Sequence, residues 1–183
     1  MINLYDSWVV ASLFSPEECD AIKEIGERRK YQKGTTGASA GAIPDPAVRD
    51  SDVCWLHQDG ETQWIYNRLM EMVDVANKQK YQVHLMNVES LQLTRYGEKQ
   101  HYDWHMDCGV GHVSRKLSCT VALDPPDSYE GGKLDIMNFN QQFGEVPQGT
   151  AIVFPSFCMH RVSPVLDGTR HSLVSWFVGR EWV

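Results

Sequence analysis

No apolar run in this sequence approaches the ~20 residues that a bilayer span requires, and none of its five cysteines forms a CxxC pair. The first absence argues against a transmembrane segment. The second, with Cys19, Cys54, Cys108, Cys119 and Cys158 odd in number, argues against a disulfide framework or a cysteine-ligated zinc site. Each cysteine then reads as a small buried hydrophobe. Basic runs, low-complexity tracts and internal repeats are also missing, and the formal net charge is −7. Direct nucleic-acid binding is therefore not expected, while a basic protein partner stays compatible with that charge. The opening residues, MINLYDSWVV, lack the basic start and long apolar stretch of a signal peptide. A cytoplasmic location without membrane contact is the expectation.

What is present is an ordinary globular composition, 42% apolar and 22% charged over 183 residues. That length allows one domain with a sizeable core. Ser15-Pro16-Glu17-Glu18 opens a helix with a capping box and runs to about Arg29. The Gly/Thr/Ala/Ser stretch from Gly34 to Gly41 reads as a mobile loop. A second helix spans about Glu61 to Lys78, with Ile65, Leu69, Met72, Val73 and Ala76 along one face.

From about Met86 the period becomes strand-like. Leu91 and Leu93 alternate with polar neighbours, as do Leu117, Cys119, Val121 and Leu123. Short apolar runs follow at Leu134–Met137, Ala151–Phe154 and Leu173–Val178. They are separated by turn signals at Pro125-Pro126-Asp127, Gly131-Gly132, Pro147-Gln148-Gly149 and Asp167-Gly168. Many short strands predict a β sandwich or barrel, here with two helices outside it: mainly β with flanking helices, an α+β chain. One domain over residues 1–183 is expected, with about 1–85 as helical support and substrate-side segment and about 86–183 as β core.

His105 and Asp107 are two apart, so on a strand both side chains leave one face. His160, after the strand end and turn at Phe154-Pro155-Ser156, is the best candidate for a second imidazole. Two histidines and a carboxylate on one face of an octahedron leave three positions open, the pattern of non-haem Fe(II) oxygenases. An HxD spacing alone recurs by chance and through surface exposure. Arg170 strengthens it. If the Asp167-Gly168 turn makes a hairpin, Arg170 lies on the strand pairing with the one that carries His160. A guanidinium there clamps a carboxylate with two parallel hydrogen bonds, which suits a keto-diacid held by a metal at its other end. The remaining histidines weigh less. Tyr102 stands where a zinc protease has its catalytic Glu between His101 and His105, His171 should face away from Arg170, and His57, His84 and His112 lack partners at ligand spacing.

Ordered blocks then point to a family. They are Leu93-Thr94-Arg95-Tyr96-Gly97, Tyr102-Asp103-Trp104-His105-Met106-Asp107, Arg115 to Leu123, Tyr129 to Leu134, Val153 to Ser156, His160 to Val165 and Gly168 to Phe177. From about Gln92 to Trp182 the chain resembles the prolyl 4-hydroxylase-like branch of 2-oxoglutarate/Fe(II) dioxygenases. The resemblance implies a double-stranded β-helix (jelly-roll, cupin-like) core. It implies Fe(II) on His105, Asp107 and His160, with 2-oxoglutarate held by Arg170 and Tyr96, O2 as co-substrate and ascorbate as an accessory reductant. The block Arg49 to Leu56 is similar to the segment that faces the peptide in hypoxia-factor and algal-type prolyl hydroxylases. Arg49 and Trp55 thus become substrate-side residues, with Tyr102, Arg115 and Trp176 as companions. Plain core packing is the competing reading for both tryptophans. Arg170 and Trp176 share a strand face about 20 Å apart, which would set the clamp at one end of a pocket and an aromatic wall at the other, with iron between. The hypoxia-factor enzymes have a further tyrosine on the strand after HxD, and Val121 is taken to occupy its place.

The activity implied is hydroxylation of a prolyl residue in a protein or peptide. Another target residue, a free small molecule, a cupin-like metal protein with no use for Arg170, and a binding module with a decayed site remain open alternatives.

Overall fold

The computed structural model describes residues 7–36, 44–109, 111–137, 143 and 145–180. Part of the expected loop, 37–41, lies outside the described residues, as does Trp182. The first elements are β1 (Trp8–Val10), α1 (Pro16–Arg29), β2 (Gln32–Lys33), β3 (Arg49–Asp50), β4 (Asp52–Leu56) and α2 (Gln63–Ala76). Then come β5 (Asn87–Val88), β6 (Leu91–Tyr96), β7 (His101–His105), β8 (Arg115–Ala122), β9 (Tyr129–Gly131) and β10 (Leu134–Ile136). The chain continues with β11 (Ala151–Pro155), β12 (His160–Val162), β13 (Val165–Gly168) and β14 (Arg170–Val178).

These strands form two facing antiparallel sheets. The larger runs β1-β11-β8-β14-β6-β4-β2 with β5 against β14, and the smaller runs β10-β12-β7-β3. Strands β13 and β9 form a separate two-stranded pair. The architecture is a double-stranded β-helix with two helices on its outer face, as expected. Strands before residue 86 also enter both sheets: β1, β2 and β4 extend the larger one and β3 the smaller. Among the described residues no helix is long and apolar enough to cross a membrane.

Period-two alternation divides the larger sheet into two chemically different faces. Leu91, Leu93, Leu117, Cys119, Val121, Leu173 and Phe177 point outward into the main core, against Ile22 and Ile25 of α1 and Ile65, Leu69 and Val73 of α2. Their neighbours Gln92, Ser118, Thr120, Ser172 and Trp176 point inward and line a cavity between the sheets. Helix α1 starts where a reciprocal cap satisfies its free amides. Ser15 Oγ accepts from the Glu18 N–H at 3.2 Å, and the Glu18 carboxylate accepts from the Ser15 N–H at 2.9 Å. Fully burying one Leu or Ile contributes about 1.5–3 kcal/mol against roughly 1 kcal/mol for a cap, so packing holds the helices in place. Helix α2 stops at Ala76 rather than Lys78 because Asn77–Tyr81 widens into a π-helical turn. That turn rotates Tyr81 inward, where its hydroxyl donates to the Val153 carbonyl at 2.7 Å.

One buried carboxylate fastens α1 to the sheet. Asp124 receives Lys23 Nζ at 2.9 Å and His171 Nδ1 at 3.1 Å, and the His171 backbone N–H donates to it as well. Burial opposes the charge of Asp124, but these donors outweigh it and hold its carboxyl below the usual range. Its stabilising effect is therefore complete above the unfolded carboxyl's pKa and fades as pH falls through the lower folded value. Asp124→Ala should cost about 2–4 kcal/mol at pH 7, read by urea denaturation. The gap to wild type should shrink as pH falls below about 4.

Candidate active site

His105 ends β7 and His160 begins β12, and the two are register partners in the smaller sheet. The pairing slips between them and the next partners, Val162 and Tyr102, so Asp103 and Trp104 stand opposite Arg161 alone. This β-bulge decides which side chains reach the cavity. In a regular strand Tyr102 and His105 would leave opposite faces; here both face inward, their rings stacked at 3.5 Å and 9°. Trp104 turns outward instead, under the Arg161 guanidinium at 4.8 Å.

Asp107 lies beyond the end of β7, so strand alternation does not align it with His105, contrary to the sequence expectation. The bend does so instead. The N–H groups of Asp107 and Cys108 both donate to the Ser156 carbonyl at 3.0 Å, which docks this segment on the turn after β11. The carboxylate is then oriented by hydroxyls: Ser118 Oγ donates to Asp107 Oδ2 at 2.6 Å and lies 2.9 Å from Ser156 Oγ. The buried Trp176 indole N–H also favours the ionised form of this carboxylate, at a geometry short of a full hydrogen bond.

Both imidazoles are fixed from behind. His105 Nδ1 meets the Asp103 carbonyl at 2.8 Å and His160 Nδ1 meets the Cys158 carbonyl at 2.9 Å. A ring donating through Nδ1 keeps its lone pair on Nε2, and both Nε2 atoms turn to Asp107, at 3.9 Å from Oδ1 and 3.5 Å from Oδ2. One donor atom from each of the three residues lies within 4.8 Å of the others. Burial, followed by the proximity of His160, pushes the His105 imidazole down to about 4, so it is neutral at pH 7. Burial works against ionising Asp107, but the two imidazoles and Ser118 outweigh it and hold the carboxyl below its usual range. Two imidazole nitrogens and one carboxylate on one side of a cavity fit a divalent transition metal with open positions. Removing the hydroxyl that orients the carboxylate should weaken that fit. Ser118→Ala is expected to lower Mn(II) affinity 10- to 100-fold by calorimetry, with Ser118→Thr close to wild type.

Arg170 faces these residues from the other sheet. The cavity between them has a volume of about 880 Å³ and is lined by His105, Asp107, His160, Tyr96 and Arg170 among others. The expected hairpin at Asp167-Gly168 is absent. Strand β13 pairs with β9, and β14 pairs with β6, β8 and β5, so Arg170 and His160 lie in different sheets. Gly168 allows the crossing, since its φ is +77° and a Cβ there would sit 2.7 Å from the Ser128 carbonyl oxygen. Arg170 Nη1 donates to Ser172 Oγ at 3.2 Å, and its guanidinium lies 5.7 Å from the Tyr96 ring, its register neighbour on β6. Gly132, also at positive φ, seats this side chain, because a Cβ there would lie 2.7 Å from Arg170 Cδ. The sequence marks Gly131-Gly132 as a turn within a family-like block, without this seating role. Burial pushes the Tyr96 phenol up, which keeps it a neutral hydroxyl.

The other expected residues converge on the same cavity. Trp55 is 36% exposed and its ring lies 6.1 Å from that of the buried Trp176. Arg115 covers Trp176 at 4.0 Å and pairs with Glu89 at 2.5 Å. Arg49 lies 4.6 Å from the Tyr102 ring. Trp176 is the register partner of Ser118, so the aromatic wall borders the triad rather than standing beyond it. Val121 does not take the place of a co-substrate tyrosine, because it points into the main core, while Ser118 and Thr120 face the cavity. His112, which has no partner at ligand spacing in the sequence, lines the cavity. Ser118 and Ser156 fall within the family-like blocks, but the sequence gives neither a role of its own. The signals that could have marked them are period-two placement opposite Cys119 and position in the turn after Phe154-Pro155.

Residues 91–178 match the model of the 2OG-Fe(II) oxygenase superfamily. A PKHD-type hydroxylase of Verminephrobacter eiseniae is 30% identical over 182 residues, covering 92% of this chain and 76% of that protein. Among solved structures, a prolyl-4-hydroxylase of Pseudomonas putida superposes with a TM-score of 0.74 at 19% identity, covering 95% of this chain and 92% of the other. A Trichoplax adhaerens prolyl hydroxylase in complex with a hypoxia inducible factor oxygen degradation domain peptide fragment gives 0.77 at 14% identity, with coverage of 94% and 83%. The chain therefore belongs to the 2OG-Fe(II) oxygenase superfamily, as a prolyl-4-hydroxylase-like, PKHD-type 2-oxoglutarate- and Fe(II)-dependent dioxygenase with a facial-triad-like His-Asp-His site.

Proposed function

We propose that this dioxygenase hydroxylates a prolyl residue of a protein or peptide in the cytoplasm, with ascorbate as an accessory reductant. His105, Asp107 and His160 would hold the Fe(II). The chemistry an iron supplies there is the coupling of O2 consumption and 2-oxoglutarate decarboxylation to insertion of one oxygen into a C–H bond, giving succinate, CO2 and an alcohol. The protein's own groups set the conditions. Arg170 holds the distal carboxylate of 2-oxoglutarate, with Tyr96 as a neutral donor beside it. Ser118 keeps the Asp107 carboxylate turned toward the imidazoles. Trp55, Trp176 and Arg115 form the wall against which the target ring packs and which keeps water out.

The observation that carries this reading is the placement of the triad and the guanidinium on opposite walls of one cavity. The peptide bound to the Trichoplax protein of like fold supports a peptidyl substrate. The test is incubation with Fe(II), 2-oxoglutarate and O2, using prolyl peptides, free proline and a cell lysate, with mass mapping of oxygen gain. Oxygen on peptidyl proline in step with succinate is the expected result. Succinate formation with oxygen placed only on other residues or on small molecules would overturn the prolyl assignment.

A further inference from the structure

Four cationic side chains line the cavity: Lys33, Arg49, Arg115 and Arg170. Three have a partner or a purpose. Lys33 pairs with Asp50 and Asp52 at 3.2 and 3.1 Å, and Arg115 pairs with Glu89. Arg170 is assigned above to 2-oxoglutarate. Arg49 is left over. It is only 7% exposed, yet among the described residues no carboxylate pairs with it. Residues 37–43, in the neighbouring part of the chain, include no acidic side chain either.

Its position is nevertheless fixed. Nε donates to Ser51 Oγ at 2.8 Å and Nη1 to the Thr35 carbonyl at 3.3 Å, while Nη2 is buried without a hydrogen-bond partner. Gly34 closes over it, since a Cβ there would lie 2.7 Å from Arg49 Nε. The Tyr102 ring offsets part of the cost of burying the cation but provides no acceptor for the free N–H. A full guanidinium charge held rigid and short of one acceptor is the arrangement of a site awaiting an anion.

We propose that Arg49 receives a carboxylate of the substrate, so that the molecule hydroxylated is acidic close to its reacting carbon. This rests on the oxygenase reading above and narrows its substrate class. Co-substrate is an unsuitable occupant, because Arg170 reaches the cavity from the larger sheet, whereas Arg49 belongs to the triad's own sheet as register partner of Tyr102. Tyr102 in turn stacks on His105 at 3.5 Å. At roughly 3.5 Å per extended residue, the carboxylate lies within about one or two residues of the oxidised carbon. A chain-terminal α-carboxylate and an Asp or Glu side chain both meet that requirement.

The experiment compares ligand pairs differing in one charge, with Mn(II) and 2-oxoglutarate bound and O2 excluded. The pairs are prolyl peptides ending at the target as acid or amide, and internal prolyl peptides with Asp or Asn beside the target; free proline is added alone. Binding is followed by calorimetry. The acids should bind roughly 10- to 100-fold more tightly than their neutral counterparts, and the better acid identifies which carboxylate is used. Arg49→Gln should bring each pair to within about twofold while Mn(II) and 2-oxoglutarate affinities hold. Equal binding of acid and neutral forms by the wild type, or no acid-dependent binding at all, would overturn the proposal without recourse to any variant. So would a loss of 2-oxoglutarate affinity in Arg49→Gln matching that of Arg170→Ala. If acids bind selectively but no proline gains oxygen under turnover conditions, the prolyl assignment fails and the carboxylate site stands.

Discussion

Asp107→Ala should abolish turnover and remove tight metal binding together. The carboxylate is the one acidic donor among the three, it is buried, and it faces both imidazole Nε2 atoms. An alanine leaves two imidazole nitrogens with no carboxylate to match a divalent cation, and it breaks the contact to Ser118. Mn(II) affinity should fall by about two orders of magnitude or more, beyond the range given for a group that only orients a ligand, and succinate production should drop below detection. Calorimetric Mn(II) titration and succinate quantitation read the two effects separately. Retained metal affinity with lost turnover would assign Asp107 a role other than ligand.

Arg170→Ala should act on a different ligand. Its loss removes a charge-assisted and potentially bidentate anchor, each such bond contributing about 1.5–3 kcal/mol. The 2-oxoglutarate requirement should therefore rise roughly 100-fold or more, while Mn(II) affinity without 2-oxoglutarate stays close to wild type, because Arg170 lies in the other sheet. Arg170→Lys should recover part of the loss, as a point charge without the planar fork. An Arg170→Ala protein that follows wild type across a full 2-oxoglutarate titration would rule out the anchor.

The two substitutions separate what the residues reveal in one dimension from what only folding supplies. Helix α1 was legible in full, from the Ser15 cap to Arg29, because capping chemistry is local. Alternation of Leu117, Cys119 and Val121 gave the buried face of β8, and the same alternation assigns Ser118 to the cavity. Short strands carry little periodicity. Thus β2, β3 and β9, two or three residues each, leave no mark as elements, although Arg49 of β3 and Tyr129 of β9 fall in the family-like blocks. Residue types mark the triad in the sequence, but strand alternation does not pair His105 with Asp107; a bend docked on Ser156 does. The bulge that stacks Tyr102 on His105 left no mark in the sequence, because an extra residue in a strand is defined only against its partner. The hairpin expected at Gly168 failed for a related reason. A turn signal says that the chain changes direction and not which sheet it enters next.

Calorimetric titration of 2-oxoglutarate in the absence of O2, into protein with and without Mn(II), tests the central claim most directly: a metal on one sheet and a guanidinium on the other hold the two ends of a single co-substrate molecule. Omitting the metal should weaken 2-oxoglutarate binding at least tenfold in wild type, since only one end then stays held. Equal affinity with and without metal would contradict it.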